Sequence, residues 1–204
     1  MQSSTQHVDS LSIHTFIFSK PAIFLTILLH VFLLSFQVVG APLAHNKTQA
    51  MSAEYMTGTS DMHGIRLAYR PNYHTDLDIP VIGLTRLSWE TSLNLFDLHG
   101  SAKNEATYGL SLSPIFSKSL PSISNQYPLT LKFGIGVAYV HEEKFGGVDI
   151  GSFYQFEDRI GLLMGLDEQQ HSELALRYIH YSNGGFNTTN PGLDFLSIAY
   201  LRRF

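Results

Sequence analysis

Large apolar residues recur at every second position through most of the chain beyond residue 60. The clearest run places Leu129, Leu131, Phe133, Ile135, Val137 and Tyr139 on one side and Thr130, Lys132, Gly134, Gly136 and Ala138 on the other. Successive strand side chains point to opposite faces, so this run predicts a two-faced β-strand. Shorter copies occur at Ile65, Leu67 and Tyr69, at Leu87 and Trp89, and at Tyr108, Leu110 and Leu112. The beat resumes at Ile160, Leu162, Met164 and Leu166, at Leu174, Leu176 and Tyr178, and at Leu196, Ile198, Tyr200 and Phe204. With the aromatic stretch Phe153 to Phe156 counted as a strand of its own, about eight strands are expected. Turn material separates them at Pro71-Asn72, Lys103-Asn104, Pro121 through Pro128, Gly146-Gly147 and Asn183 through Gly192.

The fold class expected is all-β, an eight-stranded antiparallel up-and-down barrel that leaves no unpaired edge. Alternation alone leaves two forms open. A soluble lipocalin-like barrel turns its apolar face inward, whereas an outer-membrane barrel turns it to lipid and fills its narrow interior with small and polar groups. Aromatic residues near strand ends, a charged fraction of only 15%, and a last strand ending in step on Phe204 favour the transmembrane form.

The N-terminus bears on where such a barrel sits. Pro21 to Gly40 carries no formal charge and follows Lys20, with the small residues Gly40, Ala41 and Ala44 behind it. This is the three-part pattern of a secretory signal peptide, with cleavage expected near Gly40 or Ala44, and residues 1–19 form a long leader ahead of it. An uncleaved membrane anchor is the alternative for a segment of that length. The domain division expected is thus a leader over 1–40, an N-terminal extension over 41–60 and a barrel over 61–204.

Composition removes several functions. Lys and Arg total 13 against 17 Asp and Glu, for a net charge of -4, so the basic footprint of a nucleic-acid binder is absent. There is no cysteine, hence no disulfide, thiolate metal site or cysteine nucleophile. Ten histidines raise the question of metal, but His141-Glu142-Glu143-Lys144-Phe145 lacks the second His of a zinc-protease motif. Gly134-Ile135-Gly136 fits inward-facing barrel packing better than a dinucleotide fingerprint. The acidic pairs Asp76/Asp78, Glu142/Glu143 and Asp167/Glu168 are expected as solvated turn charges.

One segment carries chemistry. His180 and Ser182 continue the face of Leu174, Leu176 and Tyr178, which on the membrane reading is the lipid face, where polar groups need a reason. A second His-x-Ser, His99-Gly100-Ser101, shows that the spacing alone is weak. Across the next hairpin Asp194 shares parity with Leu196 and joins the same outer face. A hydroxyl, an imidazole and a carboxylate so gathered suit acyl transfer. His180 takes the proton of Ser182, and Asp194 fixes the imidazole tautomer. The Asn183 side chain and the backbone N–H of Gly184 or Gly185 are candidate donors to the oxyanion. The plainer alternative is a headgroup-level hairpin in which Asn-Gly-Gly only turns the chain.

His180-Tyr181-Ser182-Asn183-Gly184-Gly185, followed by Asn190-Pro191-Gly192-Leu193-Asp194-Phe195 and the last strand, resembles the lipid A 3-O-deacylase family of outer-membrane enzymes. The likeness continues more weakly through Leu110 to Pro114, Phe133 to Ala138 and Phe156 to Gly161. The resemblance implies an eight-stranded barrel with a lipid-facing active site, Ser182 as nucleophile, His180 as base, Asn183 as oxyanion donor and no metal cofactor. Asp194 stands where the best-known members place Glu, one methylene longer. The expected substrate is lipid A or lipopolysaccharide in the outer membrane, its acyl chain lying against Leu176, Tyr178 and Leu196. A phospholipid or other acyl ester as substrate, or a non-catalytic structural barrel, are the alternatives, and a homodimer is left open.

Overall fold

The computed structural model describes residues 49–98, 106–123, 127–167 and 171–204. The expected signal segment, His99-Gly100-Ser101 and Lys103-Asn104 lie outside the described residues.

The strands are β1 (Ala50–Gly58), β2 (Met62–Arg70), β3 (His74–Ile79), β4 (Gly83–Phe96), β5 (Thr107–Ile123), β6 (Tyr127–Val140), the two-residue β7 (Lys144–Phe145) and β8 (Val148–Asp149), then β9 (Tyr154–Gly165), β10 (Ser172–Ser182) and β11 (Leu193–Arg203). Eight of them form one antiparallel sheet in the order β2-β1-β11-β10-β9-β6-β5-β4, and β2 pairs with β4 to close it. β3 continues the line of β2 beyond the break at Pro71 and pairs with the first half of β4. The separate β7-β8 hairpin lies outside this sheet.

The outer face is apolar, with Leu67, Ile135, Ile160, Leu162, Leu174, Leu176, Leu196 and Ile198 all substantially exposed. The inner face is strongly polar. Glu54, Arg66, Glu90, Asn94, Ser111, Ser113, Glu157, Arg159, Arg177 and Ser197 are buried there. A soluble barrel cannot afford that inversion, so the lipocalin-like alternative is excluded and the strands present a lipid-facing surface.

Each interior carboxylate is held by several donors. Glu157 accepts from Arg66 at 2.7 and 3.1 Å, from Ser111 at 2.6 Å, and from Ser113 and Tyr181 at 2.9 Å each. Glu90 bridges Arg70 at 2.7 Å and Arg159 at 2.6 Å, while Glu54 bonds Arg177 and Ser197. A charge shut inside a barrel is tolerated only when so paired. Gly136 makes room for this layer, because a Cβ there would stand 2.0 Å from the Ser113 hydroxyl. The glycine spacing is therefore barrel packing.

Above the charged layer, Met56, Met62, Phe96, Val140, Phe145, Ile150, Ile179, Tyr181, Leu193 and Phe195 form an apolar plug. Four of these alternate with the candidate site residues. Ile179 and Tyr181 flank His180, and Leu193 and Phe195 flank Asp194. The plug thus anchors from inside the strand ends that carry the site outside.

The structure departs from the expectation in four places. Phe153 to Phe156 is no separate strand, because β9 runs unbroken from Tyr154 through the Ile160 run. The eighth strand is instead β1, within the stretch expected as an extension. Its inward side is Ser52, Glu54 and Met56, and only Met51 and Tyr55 are large on its outer side, so its alternation is faint. β5 and β6 extend through Pro121 and Pro128. Asp76 and Asp78 lie on β3 rather than in a turn, with Asp76 paired to Arg86 at 3.1 Å.

Candidate active site

The site stands at the β10-β11 hairpin. The register pairs His180 with Asp194 directly across the hairpin, and on the other side of β10 it sets Asp158 of the adjacent strand β9 opposite His180. His180 Nδ1 and Asp194 Oδ1 are 2.7 Å apart. An ionised carboxylate only accepts, so Nδ1 carries the proton, and in the neutral ring it is Nε2 that presents the lone pair, the tautomer a general base requires. The side chains are 32% and 52% exposed, and such pairs contribute only about 0–1 kcal/mol to stability. Their pairing is therefore a minor contributor to stability.

Ser182 is the last residue of β10 and half-buried, on the face of His180, about 6.6 Å further along at the usual strand rise. Among the described residues its hydroxyl forms no hydrogen bond to His180. The structure thus forms the His–Asp half of the expected constellation and leaves the Ser–His contact unmade.

Two of the expected oxyanion donors, Asn183 and the Gly185 N–H, are engaged elsewhere. Asn183 is buried beneath the loop. Its Nδ2 donates to the carbonyls of Ile150 at 3.2 Å and Thr189 at 2.7 Å, and its backbone N–H donates to Asn190 Oδ1 at 3.0 Å. The Gly185 N–H donates to Asn183 Oδ1 at 3.0 Å. Asn183 thus opens a tight turn, closed by Phe186 N–H to the Asn183 carbonyl at 3.2 Å over Gly184 and Gly185, both at positive φ. Neither Asn183 nor Gly185 has an N–H to spare for an oxyanion in this arrangement.

Leu176, Tyr178 and Leu196 lie side by side on the outer face, about half exposed. Tyr178 does more than present a ring, because its hydroxyl donates to Asp194 Oδ1 at 2.5 Å. Two further residues at the site were not indicated by the sequence. Thr59, in the β1-β2 turn, accepts the Asp194 N–H at 2.8 Å and so fixes that backbone. Gly192 lies against the imidazole at φ +75, where a Cβ would come within 2.8 Å of His180 Cε1. Neither has a local signature, since each acts on a strand it does not belong to. Among the described residues, no group of three or more His, Asp or Glu side chains gathers as a metal-ligand set.

Comparisons with known proteins bear on the family and the fold. The family model described as lipid A 3-O-deacylase (PagL) matches residues 63–203. A lipid A deacylase PagL of Bordetella bronchiseptica is 38% identical over 74 residues, covering 36% of this chain and 40% of the relative. One of Pseudomonas aeruginosa is 31% identical over 112 residues, covering 55% of this chain and 61% of the relative. The matched segments therefore span roughly half the length of these relatives. The crystal structure of the outer membrane enzyme PagL superposes with a TM-score of 0.64 at 22% identity, over 76% of this chain and 99% of that one, which establishes the shared fold.

Proposed function

From the membership of this chain in the lipid A 3-O-deacylase (PagL) family, we propose that it is an outer-membrane serine esterase hydrolysing the 3-O-linked acyl chain of lipid A. The observation that carries the reading is the 2.7 Å His180–Asp194 bond on the lipid-facing surface, with Ser182 on the same face. A polar pair facing lipid is costly without a task, and its stabilising worth at this exposure is slight.

The chemistry follows from the tautomer. His180 Nε2 takes the proton of Ser182 as Oγ attacks the ester carbonyl, then returns it to the departing sugar oxygen. The resulting acyl-serine is cleaved by water, activated by the same nitrogen, and a 3-hydroxy fatty acid leaves. Asp194 keeps Nδ1 protonated and stabilises the imidazolium. Hydrogen bonds between catalytic groups are often long before substrate binds, so the Ser182–His180 contact is assigned to the substrate complex. Gly184 N–H, which is not engaged by the Asn183 network, is the backbone donor assigned to the oxyanion.

Placement on the barrel exterior suits a substrate that is itself a lipid. An acyl chain lying along Leu176, Tyr178 and Leu196 reaches the site without leaving the bilayer. The test is release of 3-hydroxy fatty acid from purified lipid A in detergent by the parent and by Ser182→Ala, with phospholipid in parallel. Release by the parent alone, from lipid A alone, supports the reading. Full activity of Ser182→Ala refutes it, and phospholipid hydrolysis alone would move the substrate to another membrane ester.

A further inference from the structure

Asp194 is an awkward residue to hold an imidazole. Its side chain is short, 52% exposed and at the loop end of the hairpin, where a carboxylate is free to turn towards water or headgroups. The structure restrains it at three points. Thr59 Oγ1 accepts the Asp194 N–H at 2.8 Å and donates to its carbonyl at 3.4 Å, which pins the backbone from the β1-β2 turn. His180 Nδ1 meets Oδ1 at 2.7 Å, and the Tyr178 hydroxyl meets the same Oδ1 at 2.5 Å.

Tyr178 reaches Asp194 as a diagonal neighbour. The register sets His180 opposite Asp194 and Tyr178 opposite Leu196, so the phenol spans one diagonal step across the strand pair. Such neighbours lie about 7–8 Å apart at Cα, within reach of an aromatic side chain. A neutral donor is the group required there. It holds the carboxylate without cancelling its charge, and it leaves the imidazole as the only partner able to become a cation.

We propose that Tyr178 is a positioning residue of this site: its hydroxyl fixes the Asp194 carboxylate in the one orientation that holds His180 for attack by Ser182. This rests on the esterase reading above and assigns Tyr178 a role beyond apolar contact with the acyl chain. A longer acid at position 194 reaches the imidazole with a spare methylene and has less need of the phenol.

The test measures kcat and KM for lipid A hydrolysis by the full chain refolded in detergent, for the parent, Tyr178→Phe, Asp194→Glu and the double variant, with Ser182→Ala as reference. Tyr178→Phe keeps the ring on an exposed face, and heat-shifted gel mobility confirms the folded barrel. Misplacement of a catalytic group by about 1 Å can cost on the order of a hundred-fold in rate, so loosening this acid is expected to lower kcat about ten-fold. KM stays within about two-fold, because binding shared by ground and transition states is untouched. In the Asp194→Glu background the same substitution costs less than about three-fold. An unchanged kcat, a rise in KM alone, or an equal loss in both backgrounds overturns the inference while leaving the esterase intact. Full activity in Ser182→Ala sinks the esterase reading itself and the inference with it.

Discussion

Loss of Glu157 is expected to strike the charged network of the barrel interior directly. The residue is wholly buried and accepts from both terminal nitrogens of Arg66, from two serine hydroxyls and from Tyr181. Glu157→Ala leaves Arg66, itself fully buried, without its closest counter-charge and takes the acceptor from three hydroxyls. Breaking a buried ion pair by removing one partner costs about 3–5 kcal/mol, which is roughly two to four orders of magnitude in the folded-to-unfolded ratio. Asp76→Ala is the control. It removes a carboxylate from an Arg86 pair whose side chains are about half exposed, a class of pair worth about 0–1 kcal/mol. Equilibrium urea unfolding in detergent, followed by the fluorescence of the single tryptophan, Trp89, measures both. The reasoning is refuted if Glu157→Ala lies within about 1 kcal/mol of the parent, or if Asp76→Ala costs as much as Glu157→Ala.

Gly192→Ala forces a side chain into a positive-φ position against His180 Cε1. It is expected to cost about 1–3 kcal/mol and to lower kcat by displacing the imidazole, which chemical unfolding and turnover would show together. Asn183→Ala removes the acceptor of Gly185 N–H and the donor to Ile150 and Thr189. The 183–192 loop should then become readily cleaved by added protease, whereas a pure oxyanion donor would lose rate without loop cleavage. Asp167, outside the spanning strands, has its carboxyl held below the usual aspartate range, chiefly by the His171 N–H and also by that of Ser172. A depressed carboxyl stabilises the turn at neutral pH and releases it as pH falls through the folded value. The amide shifts of His171 and Ser172 should therefore titrate with a midpoint below about 3.9, and a midpoint at or above it would contradict the capping role.

The barrel was legible because lipid outside and charge inside impose period two on every long strand, as in Leu129 to Tyr139. It faded where the outer face was small: β1 shows lipid only Met51, Ala53, Tyr55 and Thr57, too little to mark a strand. The cross-strand pairing of His180 with Asp194 could be read from parity and one hairpin, both local properties. The task of Asn183 could not, because its partner carbonyl at Ile150 lies 33 residues away in the chain. Thr59 was hidden for the same reason, since 135 residues separate it from Asp194. Tyr178 was legible only in part. Its ring matched the apolar face, whereas the use of its hydroxyl depends on a rotamer of Asp194.

The most direct measurement of the central claim is mass spectrometry of lipid A from bacterial cells expressing this chain, beside cells expressing Ser182→Ala at equal levels of folded barrel. The account predicts that the parent removes the mass of one 3-hydroxyacyl group and that Ser182→Ala leaves lipid A intact. Identical loss of that mass in both strains would contradict it, as would intact lipid A in both.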